Sequence, residues 1–186
     1  MLSATDPLPA RPSRIAIAGV SGSGKSTLAR RLSALLDLPH TEMDALFHGP
    51  GWTKMPTFEA DVQRLVAEYR WVCEWQYDYA RPLILERADL MVWVDLPYPV
   101  TLSRVVRRTV RRRVRREKLW NGNVEGPLHT FFTDPEHIVR WSISTRNTYD
   151  ERVPALADER PDLPIVRLRS TREVDRWLRE VVAPLA

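Results

Sequence analysis

The sequence predicts an α/β fold: a doubly wound sheet of about five parallel strands, clothed by helices. Three observations carry that prediction. A glycine-rich segment, Gly19-Val20-Ser21-Gly22-Ser23-Gly24-Lys25-Ser26-Thr27, stands between a short apolar run and an amphipathic one. Short apolar runs and stretches of helical period then alternate along most of the 186 residues. Hydrophobic content of 44% with 28% charged residues is that of a globular domain with a substantial core. No apolar run nears the roughly 20 residues that span a bilayer, so no membrane partner is expected.

Taken in order, residues 1–13 contain Pro7, Pro9 and Pro12 and little apolar material, and read as a flexible leader to a single domain over 14–186. Ile15-Ala16-Ile17-Ala18 suits a buried parallel strand. Leu28, Leu32, Leu35 and Leu36 then recur at helical spacing, closing at Asp37-Leu38-Pro39. His40 to Met43 reads as a weak second strand delivering Asp44 at its C-terminal end, the sheet edge where α/β proteins bind ligands. His48-Gly49-Pro50-Gly51-Trp52 is turn-rich. Thr57 is placed to cap a helix over 58–69, with Phe58, Val62, Leu65, Val66 and Tyr69 on its apolar face.

Trp71-Val72-Cys73-Glu74 reads as a third strand ending in a carboxylate, followed by a short helix near 81–87. Leu90 to Leu96 is a fourth strand with Asp95 near its end, and Pro97 and Pro99 lead into a basic helix over 99–118. Asn121 to Pro127 is loop. Asp134-Pro135-Glu136 supplies an N-cap, an N1 proline and a first-turn acid for a helix toward Asp150. Pro164 to Leu168 is a last strand. Ser170 and Glu173 form a capping box for a final helix that uses Val174, Trp177, Leu178 and Val181.

The glycine-rich segment fits G-x-x-x-x-G-K-[ST], and strand, turn and helix are the context a working phosphate loop requires. Glycines at 19, 22 and 24 let the backbone curl around phosphate oxygens, so that the N–H groups of Gly19, Ser21, Gly22, Ser23, Gly24, Lys25, Ser26 and Thr27 can gather at the positive end of the following helix. Lys25 would reach the β- and γ-phosphates, and the Ser26 hydroxyl would ligate Mg²⁺. MgATP is the expected nucleotide. An ordinary glycine-rich turn is the competing explanation, and the flanking pattern weighs against it.

Phosphoryl transfer needs positioning and charge neutralisation more than covalent help from the protein. Three carboxylates stand at expected strand ends: Asp44, Glu74 and Asp95. Asp44 is the preferred substrate-side group because Phe47 and Trp52 follow in a loop able to fold over a small molecule. Glu74 is preferred on the metal side, with Asp95 as its rival. Between Arg104 and Lys118 nine basic residues face one acid, a net +8 that leaves −4 for the rest of a +4 chain. Arg104 and Arg108 are read as catalytic groups over the transferring phosphoryl. A regulatory NTP-binding protein holding nucleic acid through Arg107–Arg116 is the alternative. The four histidines lack metal-ligand spacing, and neither a D-x-x-G switch nor an N-K-x-D motif is present to suggest a signalling GTPase.

Gly19–Thr27, Met43-Asp44-Ala45-Leu46-Phe47, Val92-Trp93-Val94-Asp95-Leu96-Pro97, Leu119-Trp120-Asn121-Gly122-Asn123 and Val166–Ser170 together resemble the small P-loop kinases related to adenylate kinase, especially the bacterial topology-modulation group. The resemblance implies a three-layer P-loop NTPase core with strand order 2-3-1-4-5, a substrate lobe near 44–70 and a helical lid near 108–150. It also implies MgATP as donor and a nucleotide, nucleoside or other small molecule as acceptor. The chain departs from the group at Glu74-Trp75-Gln76-Tyr77, where D-G-N-Y is usual, so AMP does not carry over as acceptor. The single cysteine, Cys73, is expected to fill core space in a cytoplasmic monomer or homodimer.

Overall fold

Four short, largely apolar runs and the dipeptide His40-Thr41 become the parallel strands of one sheet. The computed structural model describes residues 1–133 and 137–186. Strands β1 (Arg14–Ala18), β2 (His40–Thr41), β3 (Trp71–Glu74), β4 (Leu90–Val94) and β5 (Ile165–Leu168) pair in the order β2-β3-β1-β4-β5. Helices α1 (Lys25–Leu36), α2 (Met43–Phe47), α3 (Phe58–Ala67), α4 (Ala80–Arg87), α5 (Tyr98–Arg115), α6 (Ile138–Ser144), α7 (Thr148–Glu159) and α8 (Thr171–Trp177) connect or follow them.

Alternate strand residues serve opposite faces. Ile15, Ile17, Val72, Val92, Val94, Val166 and Leu168 meet Leu28, Leu32 and Leu36 of α1 and Trp177 and Leu178 near the C-terminus. Ala16, Ala18, Trp71, Cys73, Met91, Trp93 and Ile165 meet Phe58 and Val62 of α3, Ile84 of α4 and Val153 of α7. The result is three layers. Burial of both faces explains why the central strands read as unbroken apolar runs. Cys73 is the buried core thiol it was expected to be, and burial pushes its pKa well up.

Several expected boundaries move. Residues 1–13, read as a flexible leader, make ordered contacts: Leu2 N–H donates to Ile165 O and Arg167 N–H to Leu2 O, Ala4 is buried, and Arg11 Nη2 donates to Leu36 O. Asp44 sits in the first turn of α2 rather than at a strand end, because β2 stops at Thr41. Tyr69 is 85% exposed since α3 ends at Ala67, and Thr57 makes no side-chain cap. Helix α5 closes at Arg116, whose φ of 48° is left-handed and whose N–H donates to the carbonyls of Arg112 and Arg113. The expected helix start at Asp134-Pro135-Glu136 lies outside the described residues; downstream, α6 and α7 are separate helices, and Tyr149 of α7 belongs to the core. At α8 the Ser170 hydroxyl accepts from Glu173 N–H as expected. The Glu173 carboxylate reaches back to Arg169 N–H.

Candidate active site

The phosphate loop follows β1 as its sequence requires. Gly19, Gly22 and Gly24 all take positive φ, at 149°, 79° and 102°. Gly24 precedes α1 without a side-chain cap, so the first N–H groups of that helix remain available to an anion. Helix α5 lies against the loop: a Cβ on Gly22 would meet the Thr101 carbonyl and stand 2.8 Å from Val105 Cγ2. Ser23 is buried with its hydroxyl unpartnered, Ser21 is half-buried and Thr27 is exposed.

Lys25 Nζ donates to Val20 O at 3.2 Å. Enclosure holds its ammonium below the usual lysine range, while Asp44 and Glu74 pull it back up and Arg108 pushes it down. Those influences identify the company this lysine keeps. Asp44, Glu74 and Arg108, from α2, β3 and α5, all stand within reach of its charge. Arg108 is depressed by burial and by Arg112, against the pull of Glu125 and Asp44, and its buried Nε has no hydrogen-bond partner. Arg104, one turn earlier on α5, has different partners. Its Nη1 donates to Ser23 O at 3.3 Å and its Nη2 to Thr171 Oγ1 at 2.9 Å, bridging the phosphate loop to the start of α8. The two arginines stand one turn apart on α5 with different partners, Arg104 bonded to the phosphate loop and Thr171, Arg108 within the field of Asp44 and Glu125.

Glu74 is 1% exposed. Its Oε2 accepts Met43 N–H at 3.1 Å, while Oε1 has no partner within hydrogen-bond distance, His40 Nε2 standing 3.7 Å away. Burial pushes this carboxyl up, but His40, the Met43 N–H and the Ser26 hydroxyl together draw it below its usual value, so it is ionised. An unpartnered carboxylate oxygen beside Ser26 fits Mg²⁺, which takes one or two protein oxygens and fills its octahedron with phosphates and water. No group of three or more His, Cys, Asp or Glu suited to a metal occurs among the described residues. Asp95, the rival carboxylate, is occupied: Arg167 Nε and Nη2 donate to its Oδ2 at 2.8 and 2.7 Å, and that guanidinium lies over Trp93.

Asp44 is held from β3's far end. Gln76 Nε2 and Tyr77 Oη both donate to its Oδ1 at 2.6 Å. Tyr77 stacks on Phe47 at 4.1 Å, and burial and the charge of Asp44 push its phenol far above the usual range. Neither residue was singled out from sequence, although both follow directly on the carboxylate ending β3, where α/β sheets place ligands. Beyond them the loop at 48–54 meets the segment at 118–125. Asn121 Nδ2 donates to His48 O at 2.6 Å, Asn123 Nδ2 to Gly49 O at 2.8 Å, and Trp52 N–H to Asn123 Oδ1 at 3.1 Å. The rings of His48, Trp52 and Trp120 pack together over these bonds. Arg112 is absorbed here by Glu125, whereas Arg107, Arg111, Arg115 and Arg116 are exposed.

The architecture is shared with solved P-loop kinases. A shikimate kinase from Acinetobacter baumannii in complex with shikimate aligns over 90% of this chain and 89% of its own, with a TM-score of 0.54 and 16% identity. A gluconokinase from Sinorhizobium meliloti 1021 aligns over 95% and 93%, at 0.52 and 20%. A sugar kinase from Janibacter sp. HTCC2649 aligns over 96% and 99%, at 0.51 and 18%. At such identities the likeness defines the fold, a P-loop kinase fold of adenylate-kinase-like topology. No protein-family model matches the chain, and no curated protein sequence matches it. Among the described residues no helix is long and apolar enough to cross a membrane.

Proposed function

We propose that this chain is an ATP-dependent phosphotransferase that moves the γ-phosphoryl of MgATP to a hydroxyl of a small molecule. The observation that carries the reading is a phosphate loop with all three glycines at positive φ, whose Lys25 lies within electrostatic reach of Asp44 and Arg108. A carboxylate there can take a proton from an alcohol, but it repels a phosphate acceptor. Among the acceptors the motifs allow, this favours a nucleoside, sugar or polyol over a nucleotide. The neighbours in fold, named for shikimate, gluconate and sugar phosphorylation, accord with an alcohol acceptor.

In this reading the loop N–H groups and Lys25 hold the β- and γ-phosphates. Ser26 and Glu74 would hold Mg²⁺, which would supply charge neutralisation to the phosphates. Arg108 stabilises the charge spread over the transferring phosphoryl, and Arg104 steadies the loop and the nucleotide beside Thr171. The acceptor oxygen bonds to the γ-phosphorus as the bond from that phosphorus to the bridging oxygen breaks. Its proton passes to Oδ2 of Asp44, ADP leaves, and the proton returns to water. The resemblance of Met43–Phe47 and Val92–Pro97 to the topology-modulation group supports assigning the chain to that group within this fold.

ADP release from ATP, screened against nucleosides, nucleoside monophosphates, sugars and polyols, tests the proposal. Turnover should depend on an alcohol and vanish in Lys25→Ala. Turnover with monophosphates but with no alcohol would overturn it. Nucleic-acid binding that falls steeply with salt, with no acceptor-dependent ADP, would instead favour the regulatory reading through the exposed Arg107, Arg111, Arg115 and Arg116.

A further inference from the structure

We propose that Tyr77 is a positioning residue: together with Gln76 it pins Oδ1 of Asp44, leaving Oδ2 as the oxygen offered to the acceptor. The inference rests on the reading of Asp44 as the base. Both donors reach the same oxygen at 2.6 Å, and among the described residues Oδ2 receives no hydrogen bond. A carboxylate held at one oxygen by two donors has lost rotation about χ2, so its second oxygen points one way. That is the condition under which a general base acts in the geometry of transfer rather than after a search.

The backbone supports the same conclusion. Tyr77 has a φ of 65°, in the left-handed region that a bulky residue seldom enters. Its carbonyl accepts the N–H groups of Ala80 and Arg81, which start α4, and its ring is confined between Phe47 at 4.1 Å and Phe58 at 5.3 Å. Strain kept by such surroundings is a recurrent mark of functional positions. Packing alone would be met by phenylalanine; the hydroxyl adds only the bond to Asp44 and a 3.4 Å approach to His48 Nε2.

The experiment is a double-mutant cycle of Tyr77→Phe and Asp44→Asn, read by turnover, with the Tyr77 hydroxyl proton followed by NMR. The wild type should show a slowly exchanging, downfield phenolic proton that Asp44→Asn shifts or abolishes. Tyr77→Phe should keep its melting temperature and its KM for ATP while kcat falls about tenfold. In the Asp44→Asn background the same change should cost less than twofold, because the residue it acts through is gone. Equal losses in both backgrounds, or a phenolic proton indifferent to Asp44→Asn, would overturn the proposal. Full turnover in Asp44→Asn would overturn the base reading separately, whatever the NMR signal does.

Discussion

The carbonyl of Thr101, in the first turn of α5, occupies the place a Cβ on Gly22 would need. The phosphate loop and α5 thus touch backbone to backbone, and the helix bearing Arg104 and Arg108 is set by that contact. Gly22→Ala should therefore do more than strain a residue at φ 79°. The left-handed conformation costs about 1–2 kcal/mol for a side chain and the overlap about 1–3 more. A lower melting temperature together with ATP binding weakened at least tenfold is expected by thermal scanning and nucleotide titration. Unchanged ATP affinity would show that α5 can retreat freely.

The different partners of Arg104 and Arg108 predict two different kinetic phenotypes. Arg104→Ala loses bonds to Ser23 O and Thr171 and should raise the KM for ATP severalfold with kcat nearly intact. Arg108→Ala removes a buried cation beside Asp44 and Lys25 and should lower kcat by about 10²-fold or more. Steady-state kinetics of the two variants distinguishes these effects. Matching losses would return both arginines to one role.

Glu74 predicts the metal dependence. Glu74→Gln keeps the size of the side chain and an oxygen for Met43 N–H but removes the charge next to Ser26. The Mg²⁺ concentration for half-maximal turnover should rise about tenfold, while ATP binding measured without Mg²⁺ stays the same. An unaltered Mg²⁺ requirement would point back to Asp95, although its pairing with Arg167 argues against that.

How much of this was legible in the sequence differs by element. The central strands were, because Leu90–Val94 and Trp71–Glu74 are buried on both faces and, Glu74 apart, use apolar residues. The phosphate loop was, because its chemistry fixes residue type at fixed spacing. Strand β2 was hard to delimit: it has two residues, and the turn into α2 is fastened by Glu74 accepting Met43 N–H, a contact 31 positions away. Tyr77 was hidden for the same reason. Its role depends on Phe47 and Asp44 arriving from another element, and its backbone conformation contradicts its own local preference. The choice between Glu74 and Asp95 likewise needed Arg167, a partner no local pattern names.

His48 predicts a pH response of the contact between the loop at 48–54 and the segment at 118–125. Burial holds its imidazole below the ordinary histidine value of about 6.5, with the charge of Asp44 pulling the other way. Below 6.5 the unfolded chain takes up a proton that the folded chain still refuses, so the unfolded state binds more protons there. The stability tied to neutral His48 is thus complete above 6.5 and is lost as pH falls toward the folded value. The first structure to suffer should be the bonds from Asn121 to His48 O and from Asn123 to Gly49 O, which join the two segments. Proteolysis within 118–125 should accelerate between pH 7.5 and 5.5 in the wild type and change less in His48→Gln, whose side chain cannot take the proton. If both variants became equally sensitive in acid, the response would have to come from another group, such as a carboxylate buried behind the latch.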